Sequence, residues 1–200
     1  MKKLNTILFT LSLVCSQLAW SQASPVPMLE SSANQIIQTL KQNQATLKQN
    51  HQIVYQAIER YLLPNVDVNG MSRSVLGRLA WNKATAAERK EFTQAFTELV
   101  IRTYASPLAE YSGETVKFAP YRDSENSRFT RVNSVISRSN GQRIPLSYNL
   151  VSKDGQWKIY DLSVEGVSLL QSFRSQFGQV LQSSSMHDLI TQMRQNKKAA

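Results

Sequence analysis

From Leu29 to Leu47 apolar residues recur at steps of three and four (Leu29, Ala33, Ile36, Ile37, Leu40, Leu47), with glutamine, asparagine and lysine between them. That period predicts an amphipathic helix. A second helix carries Ile53, Val54, Ala57, Ile58, Tyr61 and Leu62, and Pro64 ends it. Pro64-Asn65-Val66-Asp67 reads as a turn or a short bridging helix, and Leu76, Leu79 and Ala80 mark a third helix before Trp81. Thr85 and Glu88 have the spacing of a capping box, in which hydroxyl and carboxylate each satisfy a backbone N–H of the first turn. The helix they open has an apolar stripe of Phe92, Phe96, Leu99, Val100 and Tyr104, with Pro107 as its limit.

At Thr115 the period drops from 3.6 to 2, the alternation of a strand. Val116 and Phe118 define a first strand, residues 128–138 a second, 143–152 a third and 157–165 a fourth, with turns at Asn140-Gly141 and Asp154-Gly155. Two Asx-Gly turns between alternating runs predict an antiparallel meander. Turn length fixes its register. A two-residue turn at Asp154-Gly155 sets Ser147 and Asn149 on the face of Tyr160 and Leu162. A three-residue turn with glycine in the left-handed position shifts the pairing by one and gathers the apolar side chains, so it is the one expected. The same shift at Gly141 aligns Ile136 with Ile144 and Val132 with Tyr148. The expected apolar face is Val132, Ile136, Ile144, Leu146, Tyr148, Leu150, Tyr160, Leu162 and Val164, with Asn133, Ser147 and Asp161 on the opposite face. Ser168 then caps a helix bearing Leu169, Leu170, Phe173, Phe177, Val180 and Leu181. Ser185 and Asp188 form a second capping box before Leu189, Ile190 and Met193. The fold class is α+β: a curved antiparallel four-stranded sheet packed with several helices.

Composition changes the picture at the N-terminus. Lys2 and Lys3, the apolar run Leu4 to Val14 and the small residues of Ser21-Gln22-Ala23 make residues 1–23 a secretory signal peptide. Residues 24–196 are one domain, helical over 28–111, sheet over 115–165 and helical again over 167–196, and 197–200 form a tail. The single cysteine, Cys15, leaves with the leader, so no disulfide or thiol chemistry is expected in the mature chain. The formal net charge is +9, and loss of Lys2 and Lys3 lowers it by two to +7. For a secreted chain that surplus points to anionic lipid or an acidic protein surface rather than nucleic acid, or else serves solubility alone.

Candidate chemistry is sparse. The two histidines, His51 and His187, lie in separate predicted helices, and no carboxylates cluster at ligand spacing, so no metal is expected. No nucleophile elbow, phosphate loop or dinucleotide fingerprint occurs. Tyr160 and Asp161 are neighbours in a strand and point to opposite faces, which argues against their sharing one pocket. Asp161 is read as a structural carboxylate.

The run Trp157-Lys158-Ile159-Tyr160-Asp161-Leu162-Ser163-Val164-Glu165-Gly166-Val167-Ser168 resembles the signature of the MlaC family, also known as toluene-tolerance auxiliary proteins. Leu63-Pro64-Asn65-Val66-Asp67 resembles the family's Leu-Pro-x-Val-Asp turn, and Leu76-Gly77 and Ala84 to Arg89 with Phe92 and Phe96 resemble its central helix. Trp81 departs from the pattern by standing four residues after Gly77 rather than three. The resemblance implies an NTF2-like curved sheet whose helices enclose an apolar cavity. It implies a periplasmic, non-enzymatic phospholipid shuttle working between an outer-membrane lipoprotein complex and an inner-membrane MCE-domain transporter to maintain outer-membrane lipid asymmetry. It also implies phospholipid as cargo, no cofactor and a monomer. Phe92, Phe96, Val100 and Tyr104 together with the apolar sheet face are then the expected lipid-binding residues. The alternative is a secreted NTF2-like enzyme acting on a small hydrophobic substrate, with Tyr148 and Tyr160 as the polar groups of its pocket.

Overall fold

The computed structural model describes residues 23–121 and 127–195, so the expected leader up to Gln22 and the 197–200 tail lie outside the described residues. Pro25 leads into α1 (Val26–Gln42), which buries Leu29, Ser32 and Leu40. The helix stops before Leu47, which is nevertheless fully buried from a stretch of turns. α2 (Gln52–Ala57) continues without a break into a π-helical turn, Ile58–Leu62, and a 3₁₀ turn, Leu63–Asn65. Pro64 has no N–H to donate back along the chain, and the winding changes around it.

Asp67 caps α3 (Val68–Lys83), its carboxylate accepting from the N–H of Gly70 at 3.2 Å. A Cβ on Gly70 would stand 2.2 Å from that carboxylate, so only glycine fits the cap. Gly77, at φ 73° and ψ 163°, breaks α3 in two. Leu79 lies beyond the break and is 76% exposed, not inside as its spacing suggests. The capping box at Thr85 and Glu88 forms on both sides and opens α4 (Ala86–Ala109). α4 runs past Pro107, its expected limit, because proline's φ is itself helical and only the bond to the preceding turn is lost.

The sheet is an antiparallel meander in chain order: β1 (Thr115–Phe118), β2 (Phe129–Ser137), β3 (Arg143–Lys153), β4 (Gln156–Val164) and β5 (Val167–Ser168). The expected four strands thus gain a two-residue fifth, folded back by Glu165 and Gly166, both at positive φ. α5 (Leu169–Ser183) is capped by Ser168, and α6 (Met186–Gln195) by the Ser185–Asp188 box. A helix-on-helix core forms among α3, α4, α5 and α6. The sheet's inner face packs separately with Leu29 of α1. Among the described residues no helix is long and apolar enough to cross a membrane.

Candidate functional site: an apolar slot between sheet and helices

The inner sheet face is set by two turns. At Gly141 (φ 85°) the three-residue turn forms as expected: Gly141 N–H donates to Arg138 O, and Ile136 stands opposite Ile144 and Val132 opposite Tyr148. At Asp154-Gly155 it does not. Both residues take positive φ (52° and 75°), as in a tight two-residue turn, and Lys153 pairs with Gln156. Aspartate tolerates the left-handed region, so the shorter turn is open to this sequence. The register is restored between Asn149 and Leu150 by a bulge on β4: Leu150 pairs with Ile159, while Asn149 pairs with Asp161. Tyr160 is the extra residue.

The consequence is a correction of the expected face. Trp157 and Ile159 join Val132, Tyr148 and Leu150 in the buried inner cluster, and Leu162 and Leu146 pack against it. Tyr160 turns away and sits edge-on to Phe129, ring centroids 5.7 Å apart. Phe129 is itself 54% exposed.

The outer face carries the expected polar row. Ser147 Oγ donates to Asn133 Oδ1 at 2.7 Å. Asp161 accepts from Ser168 Oγ at 2.8 Å, from Asn149 Nδ2 at 3.3 Å and from Leu170 N at 3.1 Å. A carboxylate with three donors holds the first turn of α5 to β4, and that turn carries Leu169 to the inner side.

Between this sheet face and the helices lies an apolar slot of about 100 Å³. Tyr148, Ile159 and Leu162 form its sheet wall and Leu169 one end. Phe96, Thr97, Val100 and Ile101 of α4 face them, with Val68 and Met71 of α3. Ile58, Leu62, Leu63 and Val66, from the π and 3₁₀ turns and the residue after them, complete the enclosure. That last wall is fastened to β4 and to the end of β3. Asp67 N donates to Ile159 O at 2.8 Å, Lys158 Nζ to Pro64 O at 2.8 Å, and Lys153 pairs with Asp67 at 3.0 Å.

Both hydroxyls of the lining are engaged within the protein. Thr97 Oγ1 donates to Thr93 O at 2.8 Å. Ser134 Oγ donates to the Tyr148 hydroxyl, whose pKa is pushed up by burial, so that it stays protonated at neutral pH. The slot therefore suits hydrocarbon. Among the described residues no group of three or more His, Cys, Asp or Glu is placed to hold a metal.

Four of the expected lipid-binding residues, Phe96, Val100, Tyr148 and Leu162, line the slot. Val132 and Leu150 lie behind the wall, fully packed, and Leu146 flanks it. Ile136, Ile144 and Val164 are half-buried nearer the β2–β3 turn and the end of β4, away from the slot. Phe92 belongs to the helical core, stacked on Phe96 and edge-on to Phe177, each at 5.8 Å. Tyr104 lies one helical turn beyond Val100, off the slot and half-buried, which raises its hydroxyl pKa. The wall contributed by Ile58, Leu62 and Leu63 was missed. Its one signal in the sequence is the Leu-Pro-x-Val-Asp segment, whose Leu63 and Val66 both face the slot.

A curved antiparallel meander with one apolar face, held off a layer of helices by a slot without free polar groups, defines an α+β domain built to receive an apolar ligand. The chain belongs to the MlaC protein family, whose model matches residues 30–195. It is similar to the Haemophilus influenzae intermembrane phospholipid transport system binding protein MlaC, 29% identical over 202 residues that cover 98% of this chain and 94% of the relative. It is also similar to the toluene tolerance protein ttg2D of Pseudomonas putida, 27% identical over 159 residues, 80% of this chain and 74% of that one. In fold it matches the phospholipid-binding protein of Ralstonia solanacearum, solved in complex with a phospholipid. The TM-score is 0.79 at 24% identity, covering 86% of this chain and 96% of that one.

Proposed function

We propose that this chain is a periplasmic phospholipid carrier, moving lipid between an outer-membrane lipoprotein complex and an inner-membrane MCE-domain transporter and so maintaining outer-membrane lipid asymmetry. The observation that carries the reading is the slot: apolar on every side, its hydroxyls engaged, in a family whose Haemophilus member is named for intermembrane phospholipid transport. The physical need is plain. Each acyl methylene exposed to water costs about 0.8 kcal/mol. A two-chain lipid crossing an aqueous compartment unprotected would lose roughly 20 kcal/mol. A carrier has only to bury those chains, and the lining offers no group placed to do chemistry on them.

At about 100 Å³ the slot is well below the ~300–1,000 Å³ of pockets that enclose ligands. Loading therefore spreads its walls. The test is extraction of the protein purified under native conditions, followed by mass spectrometry. Stoichiometric phospholipid is the expected result. Protein that arrives empty, and that takes up none from phospholipid vesicles, would overturn the reading.

A further inference from the structure

Two packed helices, α3 and α5, carry positive charge outward with nothing to answer it. Neither contains an acidic residue. Asp67 and Asp161, which hold the starts of these helices, are already engaged, the first by Lys153 and the second by three hydrogen-bond donors. Arg73, Arg78 and Lys83 on α3 and Arg174 on α5 are exposed, and none makes an ion pair or a hydrogen bond with any described residue. The four meet around the break in α3. A Cβ on Gly77 would lie 3.9 Å from a guanidinium nitrogen of Arg174, so Arg174 reaches across to the break. Arg73 stands one helical turn before Gly77, about 6 Å along the axis, and Arg78 directly follows it. Leu79 comes next, and Lys83 one turn after Leu79.

Leu79 is the apolar member of this group. In an unbroken helix it would follow Val75 by four residues and Leu76 by three, and so join their buried stripe. Gly77 adopts a backbone conformation open essentially to glycine alone, and Leu79 is turned out to 76% exposure. We propose that this α3–α5 face docks the protein on a membrane surface bearing anionic phospholipid, with the cations on lipid phosphates and Leu79 entering the interface between them. One protruding apolar side chain among cations on long, flexible stems suits a fluid array of phosphates. It offers no buried apolar patch of the kind that forms the centre of a protein–protein interface. None of these residues lines the slot, so docking and lipid burial are separate properties.

Co-sedimentation with vesicles tests the proposal. The protein should bind vesicles of equimolar phosphatidylcholine and phosphatidylglycerol, should not bind pure phosphatidylcholine, and should be released by salt. The double variant Arg78→Gln/Arg174→Gln should bind the anionic vesicles roughly 25-fold more weakly, about five-fold for each cation lost. Leu79→Ser should weaken binding about ten-fold and leave its salt dependence unchanged. Lys41→Gln/Lys117→Gln removes the same charge from α1 and β1 and should bind as the wild type. All five positions are exposed, so the fold is kept. Equal weakening by the two double variants would mean that net charge alone attracts the protein, and would overturn the site. A wild type that ignores anionic vesicles at low salt would overturn the membrane as occupant and favour an acidic protein in its place.

Discussion

Phe96 touches two apolar regions. On one side it meets Phe92 at 5.8 Å, Phe173 at 5.3 Å and Phe177 at 5.9 Å, in a core closed by Leu189, Ile190 and Met193. On the other it faces the slot, whose aliphatic walls do not meet. Both regions draw on one face of α4 and on the same residue types. What separates them is complementarity. The aromatic rings of α4 and α5 interlock edge to face, which leaves no room and adds to the stabilisation from burial. The slot opposes Val100 and Ile101 to a sheet wall of Tyr148, Ile159 and Leu162, across a space those side chains do not fill. One region stabilises the fold by being full, and the other keeps space for a ligand by not being full.

The largest expected effect is in the full region. Phe92 is completely buried, and Phe92→Ala should destabilise the protein by about 3–5 kcal/mol, read from urea unfolding. At temperatures where the variant stays folded, phospholipid loading should match the wild type. A folded Phe92→Ala protein that no longer carries lipid would show that the two regions are one.

The converse change is Val100→Phe, which places bulk in the slot. A large side chain forced into a packed core costs about 1–3 kcal/mol. Here a void receives the ring, so the melting temperature should hold or rise while lipid recovered per protein falls at least about ten-fold. Unchanged loading with a lower melting temperature would mean that Val100 is ordinary core.

How much of this contrast the sequence discloses depends on how local the cause is. Thr85–Glu88, Ser168 and Ser185–Asp188 are caps made by residues within a few positions of each other, and all form as expected. The β2–β3 register follows from one glycine, and it too is as read. The stripe on α4 is legible as apolar, but nothing in a period of 3.6 tells Phe92, which meets α5, from Val100, which meets a gap. That distinction belongs to the facing surfaces. Before β4 an Asp-Gly turn admits two lengths, and the choice is undone five residues after Gly155 by a bulge with no signature of its own. The pattern therefore places Leu162 correctly and Tyr160 on the wrong face.

Tyr160 turns that misreading into a measurement. Tyr160→Ala removes the edge-on contact with Phe129, worth about 0.5–1.5 kcal/mol, and should leave lipid loading at the wild-type level because the ring lies across the sheet from the slot. Loss of loading without loss of stability would return Tyr160 to the inner face and remove the bulge from the account.

The smallest effect separates the two regions along a single helix. Glu88 is held below its ordinary pKa by the Thr85 backbone N–H and then by the Thr85 hydroxyl. Asp188 is held down by the Ser185 hydroxyl and then by the Ser185 backbone N–H. A carboxylate whose pKa is lower folded than unfolded contributes stability that is complete above the unfolded value, and loses it as pH falls through the folded one. Both caps should therefore be intact at neutral pH and weaken only as pH falls below the ordinary carboxyl values, 4.5 for Glu88 and 3.8 for Asp188. α6 feeds the full core, whereas α4 passes from Phe92 in that core to Val100 at the slot, about two turns on. Acid should then fray residues 86–89 and 186–189 first, with amide exchange around Val100 still slow, and Glu88→Gln should remove the pH dependence at the start of α4 only. Acceleration of exchange along the whole of α4 at once would mean that core and slot open together, and the division drawn at Phe96 would not hold.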